Sequence, residues 1–279
     1  MVKFITHLRK AYLHPTASWY SFLQHLRFYL TPPRSGERVL NGIRFYIDLD
    51  LDPIMRYIYY GNYQNDVKGV MKSCLRKGDL FIDVGANIGF MSAYAMSLVG
   101  KSGRIYAFEP VPDMFTRLED LRFRNPDYYL VTNRLALGDN NEHGLIAIST
   151  YRNIGANTMV PSLLGIDNIK TAIEIDVVRL DDYLLERGLT NVRLIKIDVE
   201  GYEWRVIKGM DRYLRSASVL PWIIVEIQPK ACQSLLTSMT EMGRYMEEFG
   251  FKALHLDGRE SIDIKHLSKV TDVLFMPRR

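Results

Sequence analysis

Phe81-Ile82-Asp83-Val84-Gly85-Ala86-Asn87-Ile88-Gly89-Phe90 is the stretch that decides the fold. With Leu80 it opens as a short, nearly continuous apolar run, the pattern of a strand buried on both faces of a parallel sheet. Gly85 then permits a tight turn, and Gly89 lets the next helix approach the sheet closely. Ligands of open α/β sheets settle outside the carboxyl ends of the strands, so this turn is the expected binding position.

On either side of the turn, strands alternate with helices. Downstream, helix 89–99 ends near Gly100, strand 104–108 follows, and helix 112–124 stops before Asn125-Pro126. A third strand lies within 129–137 and a fourth at 192–197, followed by helix 202–214. The fifth, 219–227, is interrupted near its start by Pro221, and helix 232–249 then runs to Gly250. Segments 251–256 and 271–276 complete the sheet. Upstream, a short strand over 43–47 leads to the aromatic tract Tyr57–Tyr63 and a helix over 65–76, closed by Gly78. Extra β segments are expected at 144–150 and 172–179, around a long loop, 151–171, that is a candidate cover for a substrate. The pattern predicts an α/β, Rossmann-like fold with a mostly parallel central sheet covered by helices on both faces.

A dinucleotide site wants G-x-G-x-x-G, whose second glycine lets the backbone touch a pyrophosphate. Counting from Gly85, the second position is Asn87 and the third is Phe90. Asp83 would also repel a doubly anionic pyrophosphate. The same acid suits a ligand bearing an ammonium and a sulfonium and no phosphate, which describes S-adenosylmethionine. Glu109 ends the second strand, where its carboxylate is placed to accept hydrogen bonds from a ribose diol. Asp139, after the third strand, is either an acceptor for the adenine amine or a residue of the turn Asp139-Asn140-Asn141. Asp83, Gly85, Asn87, Gly89, Glu109 and Asp139 are therefore the expected cofactor-binding set.

These residues resemble the FkbM-type family of S-adenosylmethionine-dependent methyltransferases. The matching stretches are Phe81 to Gly89, Ala107-Phe108-Glu109-Pro110, Arg179-Leu180-Asp181-Asp182 and Leu194-Ile195-Lys196-Ile197-Asp198-Val199-Glu200-Gly201-Tyr202-Glu203. They cover roughly 78–228, and the last is the most specific. The resemblance implies a class I methyltransferase fold and O-methylation of a hydroxyl on a sugar, glycan or other secondary metabolite.

The fourth strand neighbours the first in this topology, so its tip belongs beside the transferred methyl group. Alternation puts Lys196 and Asp198 on one side of that strand. A hydroxyl is weakly nucleophilic at neutral pH, so a general base or a metal ion would assist transfer. Asp198 and Glu200 are the leading candidates for the base, and Glu226, at the tip of the fifth strand, is third. Lys196, if buried, is expected to pair with one of these acids. Glu200 and Glu203 also stand where acids meet a helix dipole, a purely structural alternative. Asp198 and Glu200 offer oxygen ligands suited to a divalent cation, with no third ligand evident.

The chain of 279 residues is 47% hydrophobic and 24% charged, ordinary for a globular protein. Its net charge is +4, but residues 1–44 hold seven basic side chains against Glu37, so the remainder sums to −2. That distribution gives nucleic-acid binding no support. Residues 1–40 are expected to be a basic, amphipathic helical extension and residues 41–279 the methyltransferase domain. The stripe Trp19, Phe22, Leu23, Leu26, Tyr29 and Leu30 is expected to pack on the main domain or a second subunit, with peripheral membrane contact the alternative. Cys74 and Cys232 fit no zinc or disulfide spacing, and no signal peptide or membrane-spanning run is apparent, so a cytoplasmic setting is the simplest reading. Two competing functions share the layout. An NAD-dependent oxidoreductase or epimerase is disfavoured by Asn87 and Phe90, and a non-catalytic scaffold by Asp83, Glu109 and Asp198 converging on one pocket.

Overall fold

A computed structural model describes residues 33–150, 155–235 and 238–278. The helices expected over 1–31 lie outside the described residues.

The described chain opens with a hairpin, β1 (Gly36–Leu40) and β2 (Ile43–Ile47). Its turn, Asn41-Gly42, has φ of 51° and 85°, the mirror-image turn that matches the twist of paired strands. The boundary expected between residues 40 and 41 falls inside this turn. Helices α1 (Ile54–Tyr59) and α2 (Asn65–Cys74) follow, then β3 (Leu80–Val84), α3 (Phe90–Val99), β4 (Arg104–Phe108), α4 (Pro112–Arg124) and β5 (Tyr129–Asn133). Next come the short β6 (Ala136–Leu137), β7 (Glu142–Ser149), β8 (Ile169–Val178) and α5 (Leu180–Glu186). The last part holds β9 (Val192–Ile197), α6 (Glu203–Lys208), α7 (Asp211–Ser216), β10 (Trp222–Ile227), α8 (Pro229–Ser234), α9 (Met239–Glu248), β11 (Phe251–Leu254) and β12 (Thr271–Pro277).

Seven strands form the main sheet in the order β11-β12-β10-β9-β3-β4-β5. Strand β12 runs antiparallel to both its neighbours, while β10, β9, β3, β4 and β5 pair in parallel. Alternate residues of the strands feed two cores. Phe81, Ile105, Leu194 and Ile224 join α1 to α4 on one face, and Ile82, Tyr106, Ile195 and Ile223 join α5 to α9 on the other. This arrangement explains why β3 is buried at all five positions and reads as an apolar run. The class I methyltransferase fold expected from the sequence is the fold observed. No helix among the described residues is long and apolar enough to cross a membrane.

Three expected elements are divided. The third strand stops at Asn133, and Ala136 and Leu137 instead pair with Val177 and Val178 in a separate three-stranded sheet, β6-β8-β7. The helix expected over 202–214 breaks at Gly209, where a Cβ would lie 1.9 Å from the Gly138 carbonyl oxygen. The Gly209 carbonyl instead accepts a hydrogen bond from the Asp181 amide at 3.0 Å. The helix expected over 232–249 is two. Pro229 begins the first, and Ser238 caps the second by accepting from the Glu241 amide.

Candidate active site

The parallel strands β3, β4 and β9 end side by side, and their tips form the floor of a cavity of about 260 Å³. Helix α1 and the Tyr63-Gln64 pair supply one wall. Gly155, Asn157 and Met159, from the long loop after β7, supply another.

Gly85 sits at φ +78°, and a Cβ there would lie 1.8 Å from the Asp198 carbonyl oxygen. The glycine thus lets the tips of β3 and β9 touch. Gly89, at φ +82°, allows a close approach as the sequence suggested, but to a different partner. Its missing Cβ leaves room for Leu118 and Leu121 of α4 rather than for the sheet. Between them Asn87 adopts a left-handed backbone, φ 52°, and its side chain accepts from the Ile88 amide at 2.8 Å.

Glu109 ties two turns together. Its Oε2 accepts from the Asn87 amide at 2.8 Å and its Oε1 from the Val111 amide at 2.9 Å. Each oxygen keeps a lone pair for a ligand hydroxyl. Burial outweighs these bonds and pushes the carboxyl up to about 7. Asp83 is fully buried. Its Oδ2 accepts from the Ser92 hydroxyl at 2.6 Å, while its Oδ1 has no partner. Burial raises its pKa against the pull of Lys196. An orphaned carboxylate oxygen on the cavity floor fits a ligand that brings positive charge or N–H donors.

Lys196 and Asp198 share a face of β9, as alternation requires, and the Nζ to Oδ2 distance is 2.7 Å. Burial opposes the lysine charge, but Asp198 and Asp83 more than offset it, so its pKa is raised and the ammonium is retained. Glu200 holds a left-handed backbone, φ 53°, and its Oε2 accepts from the Gln228 amide at 2.7 Å. The carbonyl of Glu200 is tied to the Thr158 hydroxyl, which anchors the long loop to the strand tip. Glu226, on β10, has no hydrogen bond or ion pair among the described residues. Burial, then Asp198, push Glu200 up to about 8 and Glu226 up to about 9. One carboxylate oxygen from each of Asp198, Glu200 and Glu226 lies within 4.8 Å of the others. Glu226 is thus the third oxygen donor that sequence alone did not supply, in a spacing and chemistry that suit a hard divalent cation.

Two of the expected residues serve structure. Glu203 caps the turn before α6, its Oε1 accepting from the amides of Gly201 and Val199. Asp139 does not line the cavity. Its Oδ2 lies 2.9 Å from both Arg205 and Lys208 of α6. Its carboxylate is held by these two cations, a role that neither sequence alternative named. Replacing Asp139 by Ala is expected to lower stability by about 1.5–3 kcal/mol, the range for hydrogen bonds to charged groups. Affinity for S-adenosylhomocysteine should stay within twofold, and a tenfold loss in calorimetry would return Asp139 to the site.

By sequence the tract Tyr57–Tyr63 is either a cover for cofactor or substrate or half-buried packing, and Gln64 is not singled out. The aromatic tract carries no period that separates a packing tyrosine from a wall tyrosine, and nothing in the sequence marks Gln64. Only the backbone, left-handed at φ 45°, distinguishes it.

The cavity wall, over the described residues, carries five carboxylates (Asp83, Glu109, Asp198, Glu200 and Glu226) and one ammonium, Lys196. Comparison with known proteins agrees with this chemistry. A profile of the methyltransferase FkbM domain matches residues 83–253. The chain belongs to the FkbM methyltransferase family. Hexuronic acid methyltransferase AglP of Haloferax volcanii is 30% identical over 192 residues, covering 65% of this chain and 73% of its own. The 31-O-demethyl-FK506 methyltransferase FkbM of Streptomyces tacrolimicus is 31% identical over 166 residues, covering 49% of this chain and 61% of its own. A crystal structure of methyltransferase FkbM from Methylobacillus flagellatus superposes with a TM-score of 0.45 at 16% identity, over 80% of this chain and 52% of that one. This FkbM methyltransferase is an S-adenosylmethionine-dependent enzyme.

The raised carboxyls have a thermodynamic consequence. Between the ordinary glutamate value of 4.5 and about 7 to 9, the folded chain holds protons that the unfolded chain has released. The unfolding free energy therefore falls as pH climbs through that window. We expect a lower melting temperature at pH 9 than at pH 6, with the loss reduced by saturating S-adenosylmethionine, whose positive charge favours the ionised acids. A melting temperature that rises over this range in the ligand-free protein would contradict the assignment.

Proposed function

We propose that this FkbM methyltransferase methylates a hydroxyl of a sugar, glycan or other small hydroxylated metabolite. The observation that carries this reading is the excess of carboxylates around the cavity. Such a wall accepts hydroxyl protons and a cationic methyl donor and disfavours a phosphate. The hexuronic acid and 31-O-demethyl-FK506 in the relatives' names support a small-molecule acceptor.

When bound, S-adenosylmethionine would supply an electrophilic methyl on a sulfonium leaving group. Asp83, Gly85, Asn87, Gly89 and Glu109 would hold it, Asp83 through its unpaired oxygen and Glu109 through its remaining lone pairs. The rest of the work belongs to the far side of the cavity. With its leaving group built in, methyl transfer depends chiefly on aligning the acceptor oxygen, and positioning supplies much of the rate. Lys196 fixes Asp198, and Gln228 fixes Glu200. Glu226, with no competing partner among the described residues, is placed to accept the acceptor's proton. A divalent cation would also fit Asp198, Glu200 and Glu226, and with it the three acids would act as ligands, the cation rather than Glu226 then activating the hydroxyl.

We further propose that the catalytic domain begins with the β1–β2 hairpin, ahead of the expected 40/41 boundary, that the basic segment before Gly36 packs on that domain, on a second subunit or at a membrane surface, and that the protein works in the cytoplasm. The spacing of Cys74 and Cys232, which fits no disulfide framework, supports a reducing compartment. The acceptor class is tested by incubating the full chain with labelled methyl donor and a panel of methyl glycosides, uronates and hydroxylated macrolides. Label in an O-methyl group, located by NMR, is the expected product. Transfer only to amines or nucleic acid would overturn the reading.

A further inference from the structure

Four buried side-chain polar atoms among the described residues have no hydrogen-bond partner: Gln64 Oε1, Asp83 Oδ1, Asp139 Oδ1 and Arg205 Nε. The last two belong to the charged cluster around α6, away from the cavity. The first two both line the cavity, and both are acceptors. Leaving a buried acceptor unpaired costs about 1–3 kcal/mol, so two such atoms in one cavity point to a ligand that brings N–H donors.

The two atoms come from opposite sides. Asp83 lies on the floor, at the tip of β3. Gln64 lies in the wall, between α1 and α2, with φ 45° and ψ 50°, and its carbonyl accepts from the Lys68 amide at 3.0 Å. A left-handed backbone at a residue other than glycine is costly and is kept only where its surroundings fix it. The neighbouring Tyr63 is held by its ring, 5.5 Å from that of Phe90. Gln64, Asp83, Lys196 and Asp198 all line this one cavity. Lys196 donates to Asp198 and is a hydrogen-bond partner of neither orphaned atom.

We propose that Gln64 is a donor-binding residue whose Oε1, together with Asp83 Oδ1, receives the α-ammonium of S-adenosylmethionine. This rests on the reading that the cavity takes that donor. An ammonium has three N–H donors and no acceptor, so one such group can donate to both oxygens at once. The nucleoside half carries donors too, in the adenine amine and ribose hydroxyls, but no cationic one to match a carboxylate. The wall formed by residues 54–64 lies outside the family-matched region 83–253, yet it would then belong to the donor site rather than only to the acceptor site.

The test is calorimetry on the full chain with two probes. S-adenosylhomocysteine carries the amino-acid arm, and 5′-methylthioadenosine lacks it. Gln64→Gly accepts the positive φ and removes the amide. It should weaken S-adenosylhomocysteine about tenfold or more, the scale of a hydrogen bond to a charged group, and leave 5′-methylthioadenosine within twofold. Gln64→Glu keeps an acceptor oxygen and should restore S-adenosylhomocysteine binding. Wild-type affinity for S-adenosylhomocysteine in Gln64→Gly, an equal loss of both probes, or no restoration by Gln64→Glu would overturn the proposal. If the wild-type chain takes up neither probe, the reading of the site fails before any variant is made.

Discussion

Replacing Glu226 by Gln should slow single-turnover methyl transfer by about 100-fold or more, within the range that a positioned general base contributes. Asp198, Glu200 and Glu226 crowd one end of the cavity but differ in engagement. Asp198 is held by Lys196 at 2.7 Å and Glu200 by Gln228 at 2.7 Å, whereas Glu226 has no partner among the described residues. Burial, then Asp198, Glu200 and its cross-strand neighbour Asp272, push Glu226 up to about 9. A carboxylate with that pKa is a stronger base than an ordinary one once it ionises, so wild-type transfer should quicken as pH rises from 6 towards 9. The glutamine variant keeps the shape and loses the proton acceptor, so this alkaline gain should flatten. S-adenosylhomocysteine affinity should change by less than threefold, which separates loss of the base from loss of the site. Glu200→Gln should cost less, because its carboxylate is already committed to Gln228. A Glu226→Gln rate within a few-fold of wild type, with the pH profile intact, would remove Glu226 from the chemistry.

The second large effect concerns Gly85. Gly85→Ala is expected to destabilise the fold by about 3 kcal/mol or more, adding a left-handed backbone penalty to an overpacking penalty. The added Cβ would stand 1.8 Å from the Asp198 carbonyl oxygen and 3.3 Å from Val199 Cγ1, at φ +78°. Relief requires β3 and β9 to separate at their tips, yet the Asp198 amide donates to the Val84 carbonyl at 3.0 Å just there. The variant should therefore lose stability in urea unfolding and lose S-adenosylhomocysteine binding together. Gly89→Ala meets only the ends of the Leu118 and Leu121 side chains, at 2.8 and 2.7 Å, so it should be milder. Equal stability of Gly85→Ala and wild type would show that the two strand tips do not touch as described.

Much of this site is written locally. The apolar run ending in Asp83, the turn glycines and Glu109 at the next strand tip specify a floor whose geometry follows from strand–turn–helix rules. The pairing of Lys196 with Asp198 follows from strand alternation. Other features depend on contacts between distant segments and leave no periodic trace. Asp139 and its cationic partners Arg205 and Lys208 are more than sixty residues apart in sequence, so a turn aspartate and a site aspartate look alike. Glu226 gains its position from the pairing of β10 with β9, which brings a third carboxylate beside Asp198 and Glu200. Gln64 reaches the cavity only because the chain folds back over the sheet after α1. The break at Gly209 has the same origin, since it answers to Gly138 from another part of the chain.

The carboxylate-lined cavity as the seat of a cationic, phosphate-free donor is tested most directly by titrating the full chain with S-adenosylmethionine at pH 7.5 in two buffers of different ionisation enthalpy. One molecule should bind per chain with net release of protons, because the sulfonium and ammonium favour ionisation of acids raised to about 7 to 9. Absence of uptake, or uptake of a nicotinamide dinucleotide in its place, would contradict the account.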